Sequence, residues 1–416
     1  MNKKIIILLK FLCITYLIIF VQKILLYPQH SIIKKNKFKQ QNLFTIGLES
    51  LTNKNKYTNL KALNYCLISD NSKTFNKVNQ QDLDLLLTNS FKIKKIFVPI
   101  KNKQANILQK DIILNSANSK IPVYKLNILG NEFPQRYIRD IDGIIFDLNT
   151  IGINYDLAHQ SLFKIIELAE KNNKKLIILD RPNILGDKIE GPGEIPFRTG
   201  LTLGELALYI NKYYKKNSIN LTIIPMENWK RSNPLQNVKA NQISKKTPSI
   251  NTCYGYSFLN VLNHVKPISI DINSPLAYQV FNLPEDKQLS EWETDYLKKI
   301  SYKLGFFCKN YINKKTQKQG IRIRIKQDIN QFSIFNSLLN LLRFLKNRKN
   351  INISFSKEFD QIFGTNSVRL YLQDQKTFEE VKNEINKNLN KFYTKAKSCF
   401  LYQPYPQIIK PELIRT

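Results

Sequence analysis

The chain has 416 residues, with 64 Lys and Arg against 32 Asp and Glu, a net charge of +32. Hydrophobic residues make up 43% and aromatics 11%, which excludes a wholly disordered chain; 13 Gly and 16 Pro exclude collagen-like and Pro-rich chains. At about 150 residues per domain, the length fits two or three domains. Enrichment in Lys, Asn and Ile, all encoded by A/T-rich codons, supplies part of the charge. The other source is attraction to an anionic partner: nucleic acid, membrane surface or cell-wall polymer.

The N-terminus opens on Met1-Asn2-Lys3-Lys4 and runs apolar from Ile5 to Val21, with Lys10 inside and a weaker continuation to Leu26. Residues 1–26 read as a signal peptide or an uncleaved signal anchor, and 27–43 as a polar, basic linker. Lys10 costs about 3 kcal/mol at a bilayer centre, but its ammonium can snorkel. The expectation is export to the periplasm or beyond the cell, with anchoring in the inner membrane if the segment is retained. Export argues against nucleic acid as the partner.

From Phe44 onward, apolar runs alternate with amphipathic stretches. Leu63–Ser69, Ile93–Pro99, Gly143–Leu148, Lys175–Asp180 and Leu221–Pro225 predict strands; Asp82–Leu87, His159–Asn172 and Gly204–Tyr214 predict helices. Buried strands alternating with helices predict a Rossmann-like α/β domain with a parallel sheet over residues 44–246. Ligands in such sheets sit at the carboxyl ends of the strands, where Asp147, Asp180 and Asn183 fall. No GxGxxG or Walker loop is present.

Asn228–Asn251 is polar and reads as a linker. Beyond it, Asp295–Leu304, Ile334–Leu345 and Thr377–Tyr393 predict helices, the last with a Thr377/Glu380 capping box. Gln319–Gln327 alternates as a half-buried strand does, and Ser367–Leu372 also predicts a strand. Residues 247–403 thus predict a smaller α+β domain with a cleft against the first, and 404–416 a tail. Cys13, Cys66, Cys253, Cys308 and Cys399 are far apart with no CxxC pair, and only His30, His159 and His264 occur. The cysteines are expected to be sparse buried thiols, and neither metal nor cofactor is expected.

One segment is more specific. Asp180-Arg181-Pro182-Asn183 is followed by Glu190-Gly191-Pro192, then by Ile195-Pro196-Phe197-Arg198-Thr199-Gly200-Leu201-Thr202-Leu203-Gly204-Glu205-Leu206-Ala207. This order resembles the NamZ-type exo-β-N-acetylmuramidase family, whose members carry DRPNP, EGP and IPxRHGLTxGELA runs. Gly47-Leu48-Glu49, Ile121-Pro122-Val123-Tyr124, Phe359-Asp360-Gln361-Ile362-Phe363-Gly364-Thr365 and Cys399-Phe400-Leu401-Tyr402 extend the resemblance to about Phe44–Tyr402. It implies a Rossmann-like domain, a smaller C-terminal domain, a sugar cleft between them, and hydrolysis of terminal N-acetylmuramic acid from peptidoglycan fragments. Peptidoglycan or muropeptide sugars are then the expected partners.

A glycosidase needs a proton donor for the leaving oxygen and a second carboxyl at the oxocarbenium-like centre. Glu190 and Asp147 are the expected catalytic pair. Asp180, Arg181, Asn183 and Arg198 are the expected substrate-binding residues, either arginine being suited to clasp a lactyl carboxylate. Structural readings stand beside these: Asp180 pairing with Arg181 or capping a turn, Glu205 stabilising its helix dipole, and His159 as a surface histidine near the cleft.

The chain departs from the family pattern at polar positions. The family's SPEHG aligns with Val98-Pro99-Ile100-Lys101-Asn102, which puts Ile100 and Lys101 in place of the glutamate and histidine. In DIQDxGxR the second aspartate becomes Thr150 and the arginine Asn154, and the histidine of RHGLT becomes Thr199. Two expectations follow: a hydrolase with a rearranged site, or a catalytically degenerate member that holds cell-wall glycan or a protein partner without turnover.

Overall fold

The computed structural model describes residues 44–53, 55–69, 77–101, 110–114, 120–127, 137–231, 249–272, 274–313, 317–326, 328–348 and 351–414. The expectations for residues 1–43 and for 232–248 of the linker lie outside them. Among the described residues no helix is long and apolar enough to cross a membrane.

The apolar runs form β1 (Asn64–Ser69), β2 (Lys92–Ile100), β3 (Lys110–Leu114), β4 (Lys120–Asn127), β5 (Gly143–Asp147), β6 (Lys175–Leu179), a short β7 (Lys188–Glu190) and β8 (Leu221–Ile224). Seven of them make one sheet in the order β3-β4-β2-β1-β5-β6-β8, parallel except for the antiparallel edge strand β3. Helices α1 (Gly47–Asn53), α2 (Lys77–Thr88), α3 (Leu157–Lys171) and α4 (Leu203–Tyr213) cover it.

Alternation along each strand divides the side chains between two interiors. Tyr65, Leu67, Ile96, Ile145 and Ile177 pack with Leu48 and Leu51 of α1 and Leu83 and Leu86 of α2. Cys66, Ile68, Phe97, Phe146 and Ile178 pack with Leu162 and Ile165 of α3 and Leu206 and Ile210 of α4. Both faces are therefore dry, as a parallel sheet requires. Burying a side chain such as Phe97 or Phe146 contributes on the order of 2–3 kcal/mol.

The second half holds α5 (Ile250–Leu259), β9 (Val265–Lys266), β10 (Ser269–Ile270), β11 (Val280–Asn282), α6 (Glu291–Leu304), β12 (Phe306–Ile312), β13 (Gln319–Ile325), α7 (Ile334–Lys346), β14 (Ser354–Phe355), α8 (Lys357–Phe363), α9 (Ser367–Leu372), α10 (Phe378–Ala396) and β15 (Gln407–Ile409). Strands β10-β11-β13-β12 form an antiparallel sheet, and β14 pairs with β9. Capping boxes start α6 (Ser290 with Glu293) and α10 (Thr377 with Glu380).

Two expectations change. Ser367–Leu372 is a helix: Ser367, Val368 and Leu372 are buried at helical spacing, and the apparent alternation of S-V-R-L-Y-L had mimicked a strand. The linker ends early, because Ser249 caps α5 and the helix begins at Ile250. Cys66, Cys253, Cys308 and Cys399 are buried thiols, as expected; Cys13 lies outside the described residues.

One interior runs through both halves, from Cys66 through Phe258 and Phe335 to Cys399. The C-terminal residues close it. β15 adds in parallel to β7, and residues 410–414 then lie along α7. There Asn336 donates to the Lys410 carbonyl and accepts from Glu412 N, while Asn340 donates to the Glu412 carbonyl and accepts from Ile414 N.

Candidate active site

Parallel register brings the strand ends into line: Ser69 of β1 is beside Asp147 of β5, and Ile100 of β2 is beside Asn127 of β4. At this carboxyl edge, Arg181 follows β6 and reaches back to Asp147. Its Nε lies 2.5 Å from Oδ1 and its Nη2 2.8 Å from Oδ2, a bidentate pair with both side chains buried. The same Nη2 is 3.5 Å from Oδ2 of Asp82, which comes from α2 and keeps 34% of its side chain exposed. Burial, and then the charge of Asp147, lift the Asp82 carboxyl to about 6 against the pull of Arg181. Lys101, exposed just past β2, donates to the Tyr155 carbonyl at 2.9 Å.

His159 is fully buried on α3 rather than at the surface. Asp156 caps that helix, accepting from the His159 backbone N–H at 2.7 Å and facing its Nδ1 at 2.9 Å. Burial would raise Asp156, but His159 and the surrounding donors hold its carboxyl below the usual range. Thr150 bonds Asp156 Oδ2 and lies 3.0 Å from His159 Nδ1, while Thr199 is 3.4 Å from Nε2. Two of the positions where the chain departs from the family pattern, Thr150 and Thr199, thus converge on one imidazole.

The other expected site residues are placed elsewhere. Glu190 is 1% exposed, and both its oxygens are filled. It receives Arg198 Nη1 at 2.9 Å, the Ser333 hydroxyl at 2.5 Å, and the backbone N–H groups of Ile334 and Phe335 at 3.0 and 3.1 Å. These last are the first N–H groups of α7, so Glu190 neutralises a helix N-terminus. Arg198, fully buried, also donates to the carbonyls of Leu185, Phe332 and Ile329. Asn183 bridges the Leu201 carbonyl and the Leu185 N–H.

Asp180 is the centre of a second buried knot. It accepts from the Thr202 hydroxyl at 2.7 Å, the Gly204 N–H at 2.9 Å and the Tyr402 hydroxyl at 2.7 Å. Burial is the main cause that raises its carboxyl to about 6, with Glu205 adding to it. Gly47 and Gly204 let the backbone close on it: a Cβ at Gly47 would stand 2.4 Å from the Asp180 nitrogen, and one at Gly204 2.8 Å from its carboxyl carbon. Glu205 completes a capping box with Thr202, pairs with buried Arg231 and accepts from Leu401 N.

The six expected residues therefore separate. Asp147 and Arg181 meet at the strand ends, whereas Asp180, Asn183, Glu190 and Arg198 are buried and bonded to other partners. Sequence reasoning passed over Asp82, which looks like any acidic residue on a helix, and over the His159 network. The available signal for the latter was Asp156, a capping residue directly before the α3 pattern. Among the described residues no group of His, Cys, Asp and Glu is arranged to hold a metal ion.

Comparison with known proteins agrees with this architecture. Residues 66–253 match the N-terminal model of exo-β-N-acetylmuramidase NamZ, and 286–402 match its C-terminal model. The peptidoglycan β-N-acetylmuramidase NamZ of Bacillus subtilis (strain 168) is 21% identical over 347 residues, covering 78% of this chain and 83% of that protein. Two crystal structures of DUF1343-family proteins from Bacteroides fragilis NCTC 9343 share the fold. One has a TM-score of 0.70 at 22% identity, covering 86% of this chain and 99% of that one; the other has 0.61 at 21%, covering 87% and 99%. With both family models matched in order across the strand, knot and helix segments described above, the chain belongs to the NamZ family of peptidoglycan glycosidases.

Proposed function

We propose that this chain is a cell-envelope glycoside hydrolase that takes the terminal N-acetylmuramic-acid sugar of peptidoglycan fragments at the carboxyl edge of its large sheet. The observation that carries this reading is a shared guanidinium. Arg181 ties buried Asp147 at the end of β5 to partly exposed Asp82 on α2, so two carboxyls from different elements converge on one guanidinium at the sheet edge. Asp82 is the proton donor: it is partly exposed, and its carboxyl is lifted into a range where it still holds a proton in mildly acidic solution. Asp147, oriented through both oxygens, faces the positive charge that develops at the anomeric carbon. Exposed Lys101 supplies the positive charge at the rim that a lactyl carboxylate requires.

Residues 1–26 direct the chain out of the cytoplasm in this reading, as a signal peptide or as an anchor; the latter would place the protein on the inner membrane. The Bacillus subtilis relative's name supports a substrate drawn from peptidoglycan.

A second reading is favoured by one residue. Ile100, half-buried at the end of β2, occupies the position of the family's SPEHG glutamate and carries no proton. On that reading the edge holds the sugar without cleaving it. Hydrolysis of a chromogenic N-acetylmuramic acid glycoside, run alongside calorimetric muropeptide binding, separates the two. Turnover abolished by Asp82→Asn supports the hydrolase; binding with no turnover supports the holder; neither binding nor turnover overturns both.

A further inference from the structure

A second groove, in the C-terminal half, shares no residue with the sheet edge. Trp292 of α6 is 72% exposed, the most exposed of the large hydrophobic side chains among the described residues. Its ring lies parallel to that of Tyr296, one helical turn on, with centroids 5.4 Å apart and planes within 8°. Tyr296 in turn rests near Phe344 of α7. Half-buried Tyr296 backs one face of the indole, and the outer face of Trp292 is a flat apolar surface with negative π density left in water.

This platform stands in a groove between α6 and α7 of about 570 Å³, lined also by Arg343, Asn347 and Ile414. A second hollow of about 510 Å³, lined by Lys298, Lys299, Tyr302 and Lys303, shares Tyr296, Ile300 and Ile414 with the first, so the two run on from each other. Both fall in the size range of small-molecule sites.

The charge in the groove is one-sided. Five cationic side chains line the two hollows against a single carboxylate, Glu293. Glu293 is already satisfied: buried Arg348 grips both its oxygens, at 2.7 and 3.0 Å, and the Ser290 N–H and hydroxyl add to them. Arg348 is further fixed by the carbonyls of Lys287 and Gln288, so this wall is rigid. Lys298 is paired with exposed Asp295. Arg343 has no carboxylate partner among the described residues, and it stands one turn from Asn347 on α7.

We infer that this groove is a second glycan-binding site, which holds an uncleaved peptidoglycan strand by stacking a sugar on Trp292, backed by Tyr296, and placing a carboxylate on Arg343. The pyranose ring brings a face of C–H groups to the aromatic plane, the acetamido group finds Asn347, and the lactyl or stem-peptide carboxylate finds Arg343 in the bidentate manner. The choice of peptidoglycan as the glycan rests on the function proposed above; the platform and its charge do not. The site would hold the protein on its polymer while the sheet edge works on chain ends.

The test is co-sedimentation of the full chain with purified sacculi stripped of wall polyanions, for wild type, Trp292→Ala, Arg343→Gln and Asp82→Asn. Trp292 is exposed, so its removal leaves the core intact. Trp292→Ala is expected to weaken retention about tenfold, the value of one good aromatic stack. Arg343→Gln is expected to weaken it by a similar factor, and both are expected to leave muropeptide processing at the sheet edge unchanged. Asp82→Asn is expected to do the reverse: sacculus retention kept, muropeptide processing lost. Loss of processing in Asp82→Asn with equal retention in all four proteins overturns the second site and leaves the sheet-edge reading standing. Retention that needs unstripped sacculi, or a change of oligomeric state in Trp292→Ala, overturns it too, by assigning the groove to a polyanion or to a second copy of the chain.

Discussion

Arg181 binds Asp147 through two parallel hydrogen bonds at 2.5 and 2.8 Å, joining the ends of β6 and β5 where neither side chain reaches water freely. The same guanidinium also reaches Asp82 through Nη2. The pair is a structural commitment. Truncating Arg181 to Ala leaves a buried carboxylate without its counter-charge, a change that costs about 3–5 kcal/mol. Urea denaturation of Arg181→Ala at neutral pH should show that loss; a midpoint within error of wild type would mean that water replaces the arginine.

Glu190 should behave as a scaffold residue. Its oxygens are committed to Arg198, Ser333 and the start of α7, and it is buried. Glu190→Gln weakens the charge opposite Arg198 and the helix terminus, with an expected destabilisation of about 2–4 kcal/mol. The folded fraction should keep wild-type kcat/KM or wild-type sugar affinity. A stable Glu190→Gln protein with selectively lost turnover would restore Glu190 to the catalytic pair.

Asp180 makes stability depend on pH. Its folded carboxyl is raised to about 6, above its ordinary value near 4, chiefly by burial. The folded state therefore holds this proton more tightly than the unfolded state does. The associated stability is fully present below about pH 4 and is lost as pH rises through about 6, by about 2–3 kcal/mol at most. Asp180→Asn does not titrate, so the difference in unfolding free energy between wild type and variant should drift in that window and be level above about pH 7. A difference that is flat from pH 4 to 7 contradicts the assignment.

Tyr402 ties the end of the C-terminal half to the same knot, donating to Asp180 and accepting from Met226 N at 2.9 Å. Tyr402→Phe removes one donor and one acceptor from a buried site, with an expected cost of about 1–3 kcal/mol. Differential scanning calorimetry should register it as a single shifted transition, since one core spans both halves. Two separated transitions in the variant would show that the halves melt independently.

Much of the fold was legible because it follows from periodicity. Five of the seven strands of the large sheet, the helices over Asp82–Leu87, His159–Asn172 and Gly204–Tyr214, and the Thr377/Glu380 cap are local patterns found within a few residues of their expected places, whereas Lys110–Leu114 and Lys120–Asn127 were not anticipated as strands. Ser367–Leu372 misled because six residues of mixed polarity fit both periods, and burial of Val368 and Leu372 decided for a helix. The site was harder to read, for a physical reason. Glu190 and Arg198 sit in the segment that carries the family resemblance, and a carboxylate beside an arginine suits catalysis as well as scaffolding. What decides is the backbone of Ile334 and Phe335, far along the chain, and no local pattern announces that contact. The most recognisable motifs of this chain are thus largely its buried polar framework.

On the function proposed above, the Asp82–Arg181–Asp147 edge, and not Glu190, is where the sugar is processed. The most direct test is the pH dependence of N-acetylmuramic acid release from a defined muropeptide by wild type and Asp82→Asn. A donor that must be protonated, with its carboxyl lifted to about 6, predicts kcat/KM that falls as pH rises through about 6, and a variant in which that limb and nearly all turnover are gone. Release by Asp82→Asn at the wild-type rate with the limb intact would contradict the claim.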